Sequence, residues 1–360
     1  MEPSILIPTP DPIPVPWGWF KFFLLSTFMA HILFMNVMVG TGIIAFFSHL
    51  RKDSQKHLEP LERDISKKLT FIIAFAVNFG VAPLLFLQVL YGHFVYVSSM
   101  LMGVYWLSIF VLLIIAYYSA YYYKLRFDVL RTARIYLIGM AVLILLVIGF
   151  FFTNNMTLML TPETWGRYFE NPEGTLLNLS DPTLYPRFLH FMTASLAIGG
   201  LFIAITWSLK GKKEIPGSQE NVDRGMRWFT IATVVQIVIG VWFLFSLPGD
   251  IRSLFLGGSP FHTSLLMISV GLVATTLIFG VYRNVWPATV STLALVLIMI
   301  IMRDSVRTAY LKPFFEVSQL RVIHQYSPMI FFLAALIVGL GIVAYVIRLG
   351  MRCPAAEDSA

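Results

Sequence analysis

The 360-residue sequence is 58% hydrophobic and only 12% charged. This balance excludes a soluble globular domain, in which about a quarter of the residues are charged. The single cysteine, Cys353, excludes disulfides within the chain, cysteine zinc sites, iron–sulfur clusters and a c-type heme. The composition therefore predicts an integral membrane protein, in which any cofactor is held by histidine, methionine or oxygen ligands.

The formal net charge of +7 follows the predicted loops rather than one surface patch. Most of the 26 Lys and Arg residues fall in loops on one side of the predicted membrane. Short loops rich in Lys and Arg remain in the cytoplasm during membrane insertion. The distribution predicts a multi-pass protein of the cytoplasmic membrane, with its N-terminus outside and its C-terminus inside, and no nucleic-acid partner.

Several apolar runs are long enough to cross a bilayer, which takes about 20 residues. Backbone groups in lipid must be satisfied within their own segment, so each run is predicted to be a helix. No Asp or Glu lies inside the predicted boundaries, which predicts a membrane interior without buried carboxylates. The nine predicted spans cover residues 17–49, 69–92, 100–123, 135–153, 185–208, 226–247, 261–282, 285–302 and 325–348.

Two predicted loops contain residues whose position, exposed or packed, can be predicted. The inner loop 51–68 has charges of both signs, so His49 and His57 are predicted to be surface histidines. The outer loop 154–184 contains Trp165 and several acidic residues. This mixture suits either a short interfacial helix or a docking surface for a partner.

The sequence repeats at an interval of about 160 residues, which is typical of an internal duplication. His31 in the first span precedes Gly40 by the same distance that separates His190 from Gly199 in the fifth span. The glycine of FGVAPLLF in the second span likewise recurs in IGVWFLF of the sixth. We therefore expect an all-α membrane protein with two similar four-helix bundles and one extra helix. The predicted units are an outer segment 1–16, a first bundle 17–153, an outer loop 154–184, a second bundle 185–304, a last loop and ninth helix 305–348, and a cytoplasmic tail 349–360.

The histidines of the spans are the candidate ligands. A neutral imidazole enters hydrocarbon at moderate cost and is a good axial ligand for heme iron. His190 lies near the outer end of its span, and Met267 or His262 of the seventh span could supply a second ligand to the same iron. His31 is the candidate for a second heme. The alternative for each histidine is an ordinary hydrogen bond between helices.

Two arginines could bind the propionates of such a heme, because guanidinium groups pair well with carboxylates. Arg187 lies one turn before His190, and Arg307 follows the eighth span, with Arg303 as an alternative. Ordinary placement of long cationic side chains at the membrane surface is an equally good explanation.

Three stretches resemble subunit I of the cytochrome bd quinol oxidases: MAHILFMNVMVG around His31, FAVNFGVAPLLFLQVLYG in the second span, and FLHFMTASLAIGGLFIA around His190. The resemblance covers most of the chain and is weakest in the last two spans. It implies a nine-helix protein in which His190 and Met267 ligate a low-spin heme b and His31 ligates a heme of the oxygen site. Arg307 loosely matches the arginine of the family's GRQPW motif, which is absent here.

The sequence also departs from that family. The third span, MGVYWLSIFVLLIIAYY, lacks the family's glutamates, Gln88 replaces another, and ALVLIMIIM in the eighth span offers no carboxylate ligand. A short turn, LPGDIRSLFLGGSP, replaces the long loop that oxidises quinol. We therefore predict a subunit with one or two b hemes that passes electrons between the quinone pool and an outer cytochrome c or iron–sulfur subunit. Quinone is a second candidate ligand. The alternatives are a terminal oxidase subunit with a second bd-like membrane subunit, and a heme-free structural or quinone-docking subunit.

Overall fold

The structure is a computed structural model that describes residues 3–50 and 55–352, so Cys353 and the rest of the predicted tail lie outside the described residues. Within those ranges, nine helices are long and apolar enough to cross a membrane, which confirms the predicted number. They are α1 (Trp17–Leu50), α2 (Gln55–Leu101), α3 (Gly103–Leu125), α4 (Arg134–Leu160), α5 (Leu184–Gly211), α6 (Ser218–Ser246), α7 (Pro260–Val281), α8 (Val285–Leu311) and α9 (Ser327–Arg352).

The helices form two bundles, as the repeat predicts. Helices α1 to α4 pack against one another, and α5 to α8 close a second bundle through the contacts of α5 with α6 and α8 and of α7 with α6 and α8. Helix α9 lies outside both bundles, where Phe332 packs against Phe23 at 5.1 Å and Phe86 at 5.9 Å between ring centroids. We call the end where α1 and α5 begin and α8 finishes the Lys21 end.

The bundles meet where α1 crosses α5 at the two glycines of the repeat. A Cβ on Gly199 would lie 2.7 Å from Gly40 Cα, and a Cβ on Gly40 would overlap the carbonyl of Ser195. One turn earlier, Ser195 Oγ donates a hydrogen bond to Asn36 Oδ1 at 2.9 Å. Small residues allow membrane helices to approach closely. Asn36 and Ser195 are equivalent in the repeat, so the two halves meet as the subunits of a two-fold dimer do.

Two of the helices that extend beyond their predicted spans bury a carboxylate in the extension. Helix α2 begins at Gln55 rather than at residue 69, and α8 ends at Leu311 rather than at residue 302. Hydropathy marks only the segment in hydrocarbon, and ion pairs continue the helix beyond it. The extensions contain Glu62, 3% exposed, and Asp304, 5% exposed. Both carboxylates lie outside the predicted span boundaries, so the chain has buried carboxylates in its helix extensions although none lies within a predicted span.

The side chain of His49 is only 9% exposed, so its predicted surface position is wrong. Its Nδ1 lies 3.2 Å from Glu62 Oε2, and its Nε2 lies 2.9 Å from the hydroxyl of Tyr123. The imidazole thus joins α1, α2 and α3 at the end opposite Lys21. The charged stretch that follows His49 belongs largely to α2 and covers it. The side chain of His57 lies outside the described residues.

The loop between α4 and α5 packs onto the Lys21 end of the first bundle. It contains the predicted short helix, a 3₁₀ segment over Pro162–Phe169. Trp165 in that segment is 1% exposed, and its Nε1 donates to the carbonyl of Leu158 at 2.7 Å. Trp165 therefore anchors the loop within the chain, and it is not part of a docking surface.

Candidate functional site

His31 of α1 lies directly against a glycine of the neighbouring helix. A Cβ on Gly80 of α2 would lie 2.9 Å from His31 Cε1, so any larger residue at this position would collide with the imidazole ring. His31 Nδ1 lies 2.9 Å from the carbonyl of Ala76. Because a carbonyl only accepts, Nδ1 carries the proton and Nε2 keeps its lone pair. A metal-binding histidine is normally held in this way by its other nitrogen.

His190 of α5 has the matching position in the second bundle. A Cβ on Gly240 of α6 would lie 3.4 Å from His190 Cε1, and the ring of Phe243 lies 6.0 Å from the imidazole between centroids. His190 Nδ1 is buried and has no hydrogen-bond partner within the described residues. The predicted repeat therefore brings each histidine onto the equivalent glycine of the next helix, but only His31 is tethered.

The two residues of α7 predicted as partners for His190 lie on different faces. The buried residues of α7 include Leu265, Ser269 and Thr276. At about 100° per residue, His262 falls on this buried face and Met267 on the opposite side. Met267 is 64% exposed, whereas His262 is partly buried and its Nδ1 lies 2.8 Å from Ser259 Oγ. The structure thus directs Met267 away from the interior of the second bundle.

Three helices place cations at the Lys21 end, and two of these cations pair with one carboxylate. Asp304 of α8 pairs with Arg307 and with Lys21 of α1, the latter at 2.8 Å. Arg187 of α5 is 5% exposed, and its Nη2 donates to Thr183 Oγ1 at 3.2 Å. The guanidinium of Arg187 also lies 4.9 Å from the centre of the Phe243 ring that packs against His190.

Arg303 of α8 approaches the other histidine in a similar way. Its guanidinium lies 4.3 Å from the centre of the Phe28 ring, which in turn is 6.4 Å from the His31 ring. Each histidine therefore has a phenyl ring beside it and a guanidinium over that ring. Both predicted arginines, Arg187 and Arg307, belong to this cationic cluster, together with Arg303.

Several donors of the cluster lack a partner within the described residues. They are Arg187 Nε, Arg307 Nε and Nη1, and the hydroxyl of Tyr91. Arg307 is only 2% exposed and lies 4.6 Å from the centre of the Tyr91 ring. Burying a cation without a counter-ion costs several kcal/mol. Lys21 and Arg307 both pair with Asp304, and Arg187 and Arg303 form no ion pair within the described residues, so the cluster keeps donors for a further anionic group.

Sequence reasoning missed Lys21, Tyr91 and Asp304. A signal existed for Lys21, which is the one Lys or Arg in the first apolar run. Asp304 lies just beyond the predicted end of the eighth span, so it was counted with the loop. Tyr91 joins the site because α2 departs from helical geometry there, with φ −135° and ψ 27°, which no residue pattern indicates.

A heme fits these residues better than a bare metal ion. Within the described ranges, no three His, Cys, Asp or Glu side chains gather as a protein-bound metal ion would require. Heme iron needs only one or two axial ligands from the protein. His31 and His190 offer imidazoles set against glycine, and the cationic cluster at the same end offers unpartnered donors for carboxylates.

Comparisons with known proteins support the fold. No family model matches the sequence, and no curated protein matches it. Among solved structures, the chain is similar to "The structure of bd oxidase from Geobacillus thermodenitrificans", with a TM-score of 0.68 and 12% identity. The alignment covers 98% of this chain and 99% of that chain. The chain therefore has a bd-oxidase subunit I-like fold, as the three resembling stretches imply.

Proposed function

We propose that this chain is a heme b-carrying membrane subunit of a respiratory electron-transfer complex. It would exchange electrons between the quinone pool and a cytochrome c or iron–sulfur partner at the predicted outer face. The observation that carries the proposal is that two glycine-backed histidines occur together with buried arginines that keep unpartnered nitrogen donors within the described residues. The bd-oxidase-like fold supports a respiratory membrane subunit in general.

When bound, a heme would supply a one-electron carrier inside the membrane. His190 and a residue of α7 would ligate its iron. The buried face of α7 supports His262 for this role over Met267. His31, tethered to Ala76 with Nε2 unprotonated, would ligate a second heme. The tether sets the ring orientation and increases the basicity of Nε2.

The arginines would hold the propionates. Arg187 and Arg307 each retain unpartnered nitrogen donors, and a carboxylate is the usual partner of such a group. Asp304 pairs with Arg307 on one side and so orients the guanidinium, while Lys21 balances the charge of Asp304. Phe243 and Phe28 exclude water from the space beside the histidines, which strengthens each of these pairs.

Purified protein provides the test of this proposal. A pyridine hemochrome assay should return one or two b hemes per chain, and His190→Ala should remove a low-spin signal from the reduced spectrum. His262→Ala should lose the same signal, whereas Met267→Ala serves as the exposed control on α7. Absence of heme b in the wild-type protein would refute the proposal and leave a structural or quinone-docking subunit.

A terminal oxidase is the second candidate, because the structure has buried carboxylates in two of the helices that extend past their predicted spans. Oxygen reduction consumes protons, and Asp304 and Glu62 are groups of the kind that proton transfer uses. An oxidase would have high-spin heme and bind carbon monoxide in the reduced state. A purely six-coordinate, low-spin spectrum without a carbon monoxide difference band would exclude it.

A further inference from the structure

The residues just before α5 form a hydrogen-bonded chain that ends on Arg187. Arg187 Nη2 donates to Thr183 Oγ1 at 3.2 Å, and Thr183 Oγ1 donates to Asp181 Oδ1 at 2.6 Å. Asp181 Oδ1 also accepts from the backbone N–H of Thr183 at 2.7 Å. The heme site proposed above includes Arg187 but neither Asp181 nor Thr183, so the role of these two residues is open.

The sequence Asp181-Pro182-Thr183 favours this arrangement locally. Pro182 has a fixed φ and no N–H, so it does not compete for the Asp181 carboxylate. An Asp side chain that accepts from the N–H two residues later is a common turn. Thr183 is the last residue before α5, and Arg187 follows one helical turn later. Long side chains on a helix point back toward its N-terminus, so the guanidinium of Arg187 reaches Thr183.

The direction of the chain is fixed at both ends. A guanidinium only donates hydrogen bonds, and an ionised carboxylate only accepts them. The Thr183 hydroxyl has a single proton, which it donates to Asp181, so toward Arg187 its oxygen can only accept. Thr183 is 2% exposed and is therefore shielded from solvent. Hydrogen bonds to ionised groups are stronger than neutral ones, so the chain holds the guanidinium in one orientation.

Arg187 keeps most of its donors for another acceptor. It forms no ion pair within the described residues, and its buried Nε has no hydrogen-bond partner there. Arg307, in contrast, pairs directly with Asp304. A hydroxyl takes a single N–H group of the guanidinium, whereas a carboxylate that pairs with it directly often takes two. The charge of Asp181 therefore acts on Arg187 through Thr183 and leaves the guanidinium free to bind a carboxylate.

The same guanidinium has a defined position relative to His190. It lies 4.9 Å from the centre of the Phe243 ring, and that ring lies 6.0 Å from the imidazole of His190 between centroids. Residues three apart on a helix are neighbours on its surface, as Arg187 and His190 are. We propose that Asp181 and Thr183 position Arg187 for a propionate of the heme on His190. This inference rests on the proposed function, to which it adds two positioning residues.

A redox titration of the purified full chain tests the role of Thr183, using the heme signal that His190→Ala removes. Thr183→Val removes the hydroxyl and releases the guanidinium. The ferric heme then loses a nearby cation that disfavours it, so the midpoint potential should decrease. Thr183→Ser keeps the hydroxyl and should restore the wild-type potential. An unchanged potential in Thr183→Val would refute the proposal.

Thr161 provides a matched control in the same loop. Its Oγ1 donates to the carbonyl of Thr157 at 2.9 Å and accepts from Asn178 Nδ2 at 3.2 Å, and it forms no hydrogen bond with Arg187. Thr161→Val should lower the midpoint of thermal unfolding and leave the heme potential unchanged. An equal shift of the potential in Thr161→Val and Thr183→Val would attribute the effect to loop packing and overturn the proposal.

Two variants of Asp181 test the other end of the chain. Asp181→Asn keeps an acceptor oxygen for Thr183, so the heme should be retained on gel filtration. Asp181→Ala removes the acceptor, so part of the heme should be lost. Equal retention in the two variants would contradict a positioning role for Asp181. This pair decides the matter if Thr183→Val does not fold.

A double-mutant cycle tests the hydrogen-bonded chain by a readout that does not depend on heme. The loss of unfolding free energy in Thr183→Val combined with Arg187→Met should be smaller than the sum of the two single losses. Additive losses in a heme-containing protein would overturn this inference and leave the proposed function standing. A wild-type protein without heme b would instead refute the proposed function, and the role toward heme with it.

Discussion

The glycine behind His31 allows a sharp test of the site geometry. A Cβ on Gly80 would lie 2.9 Å from His31 Cε1 and 3.0 Å from Nδ1, so Gly80→Ala must displace the ring. The ring cannot move without lengthening its 2.9 Å contact with the Ala76 carbonyl. Losing that hydrogen bond costs about 0.5–1.5 kcal/mol. Replacing glycine by alanine within a helix stabilises the helix by about 1 kcal/mol. The net stability of Gly80→Ala should therefore change little, while the orientation of His31 changes.

Two controls separate the helix effect from the displaced ring. Gly271 of α7 has nothing within 4 Å of a built Cβ, so Gly271→Ala should gain the full helix contribution. Gly240→Ala places its Cβ 3.4 Å from His190 Cε1, which is close to ordinary contact, so the His190 signal should persist. The assays are unfolding in detergent and the heme spectrum. The reasoning fails if Gly80→Ala is stabilised as much as Gly271→Ala and keeps both heme signals.

Three further predictions concern packing and charge. Gly40→Ala places a methyl group against the carbonyl of Ser195. The midpoint of thermal unfolding should therefore be lower than in the wild type, and an unchanged midpoint would contradict the close crossing of the helices. Tyr123→Phe leaves His49 Nε2 without its partner and should lower the free energy of unfolding by about 1–3 kcal/mol. Tyr122 is exposed, so Tyr122→Phe should not show this loss. Arg307→Gln should lower heme retention on gel filtration, and full retention would remove Arg307 from the site.

Hydropathy predicts all nine spanning helices found in the part of the chain that the structure describes, because each apolar run is long enough to cross a bilayer and lipid permits little else. It does not predict where the helices end. Helix α2 starts in a charged stretch, where Lys68 pairs with Asp64 at 2.7 Å, and α8 continues through Asp304. Ion pairs stabilise these extensions, and their partners lie on other turns or other helices. A hydropathy scale scores each residue by itself and therefore cannot predict buried carboxylates at such helix ends.

The repeat predicts the part of the site that depends on local spacing. Both histidines lie against the glycines of the neighbouring helices because duplicated helices keep the same register. The partner on α7 depends on helix rotation, and the sequence offers Met267 and His262 without saying which one faces inward. The cationic cluster depends on three helices that are distant in sequence. Lys21 and Asp304 could therefore be seen as a pair only after the bundles were assembled.

The two halves reach a similar arrangement through different residues. Three positions before the histidine, the first half has Phe28 and the second has Arg187. At His31 the phenyl ring comes from α1 and the guanidinium of Arg303 comes from α8, whereas at His190 the guanidinium comes from α5 and the ring of Phe243 from α6. A histidine, a phenyl ring and a guanidinium thus lie together in both halves, although the ring and the guanidinium come from helices that are not equivalent in the repeat.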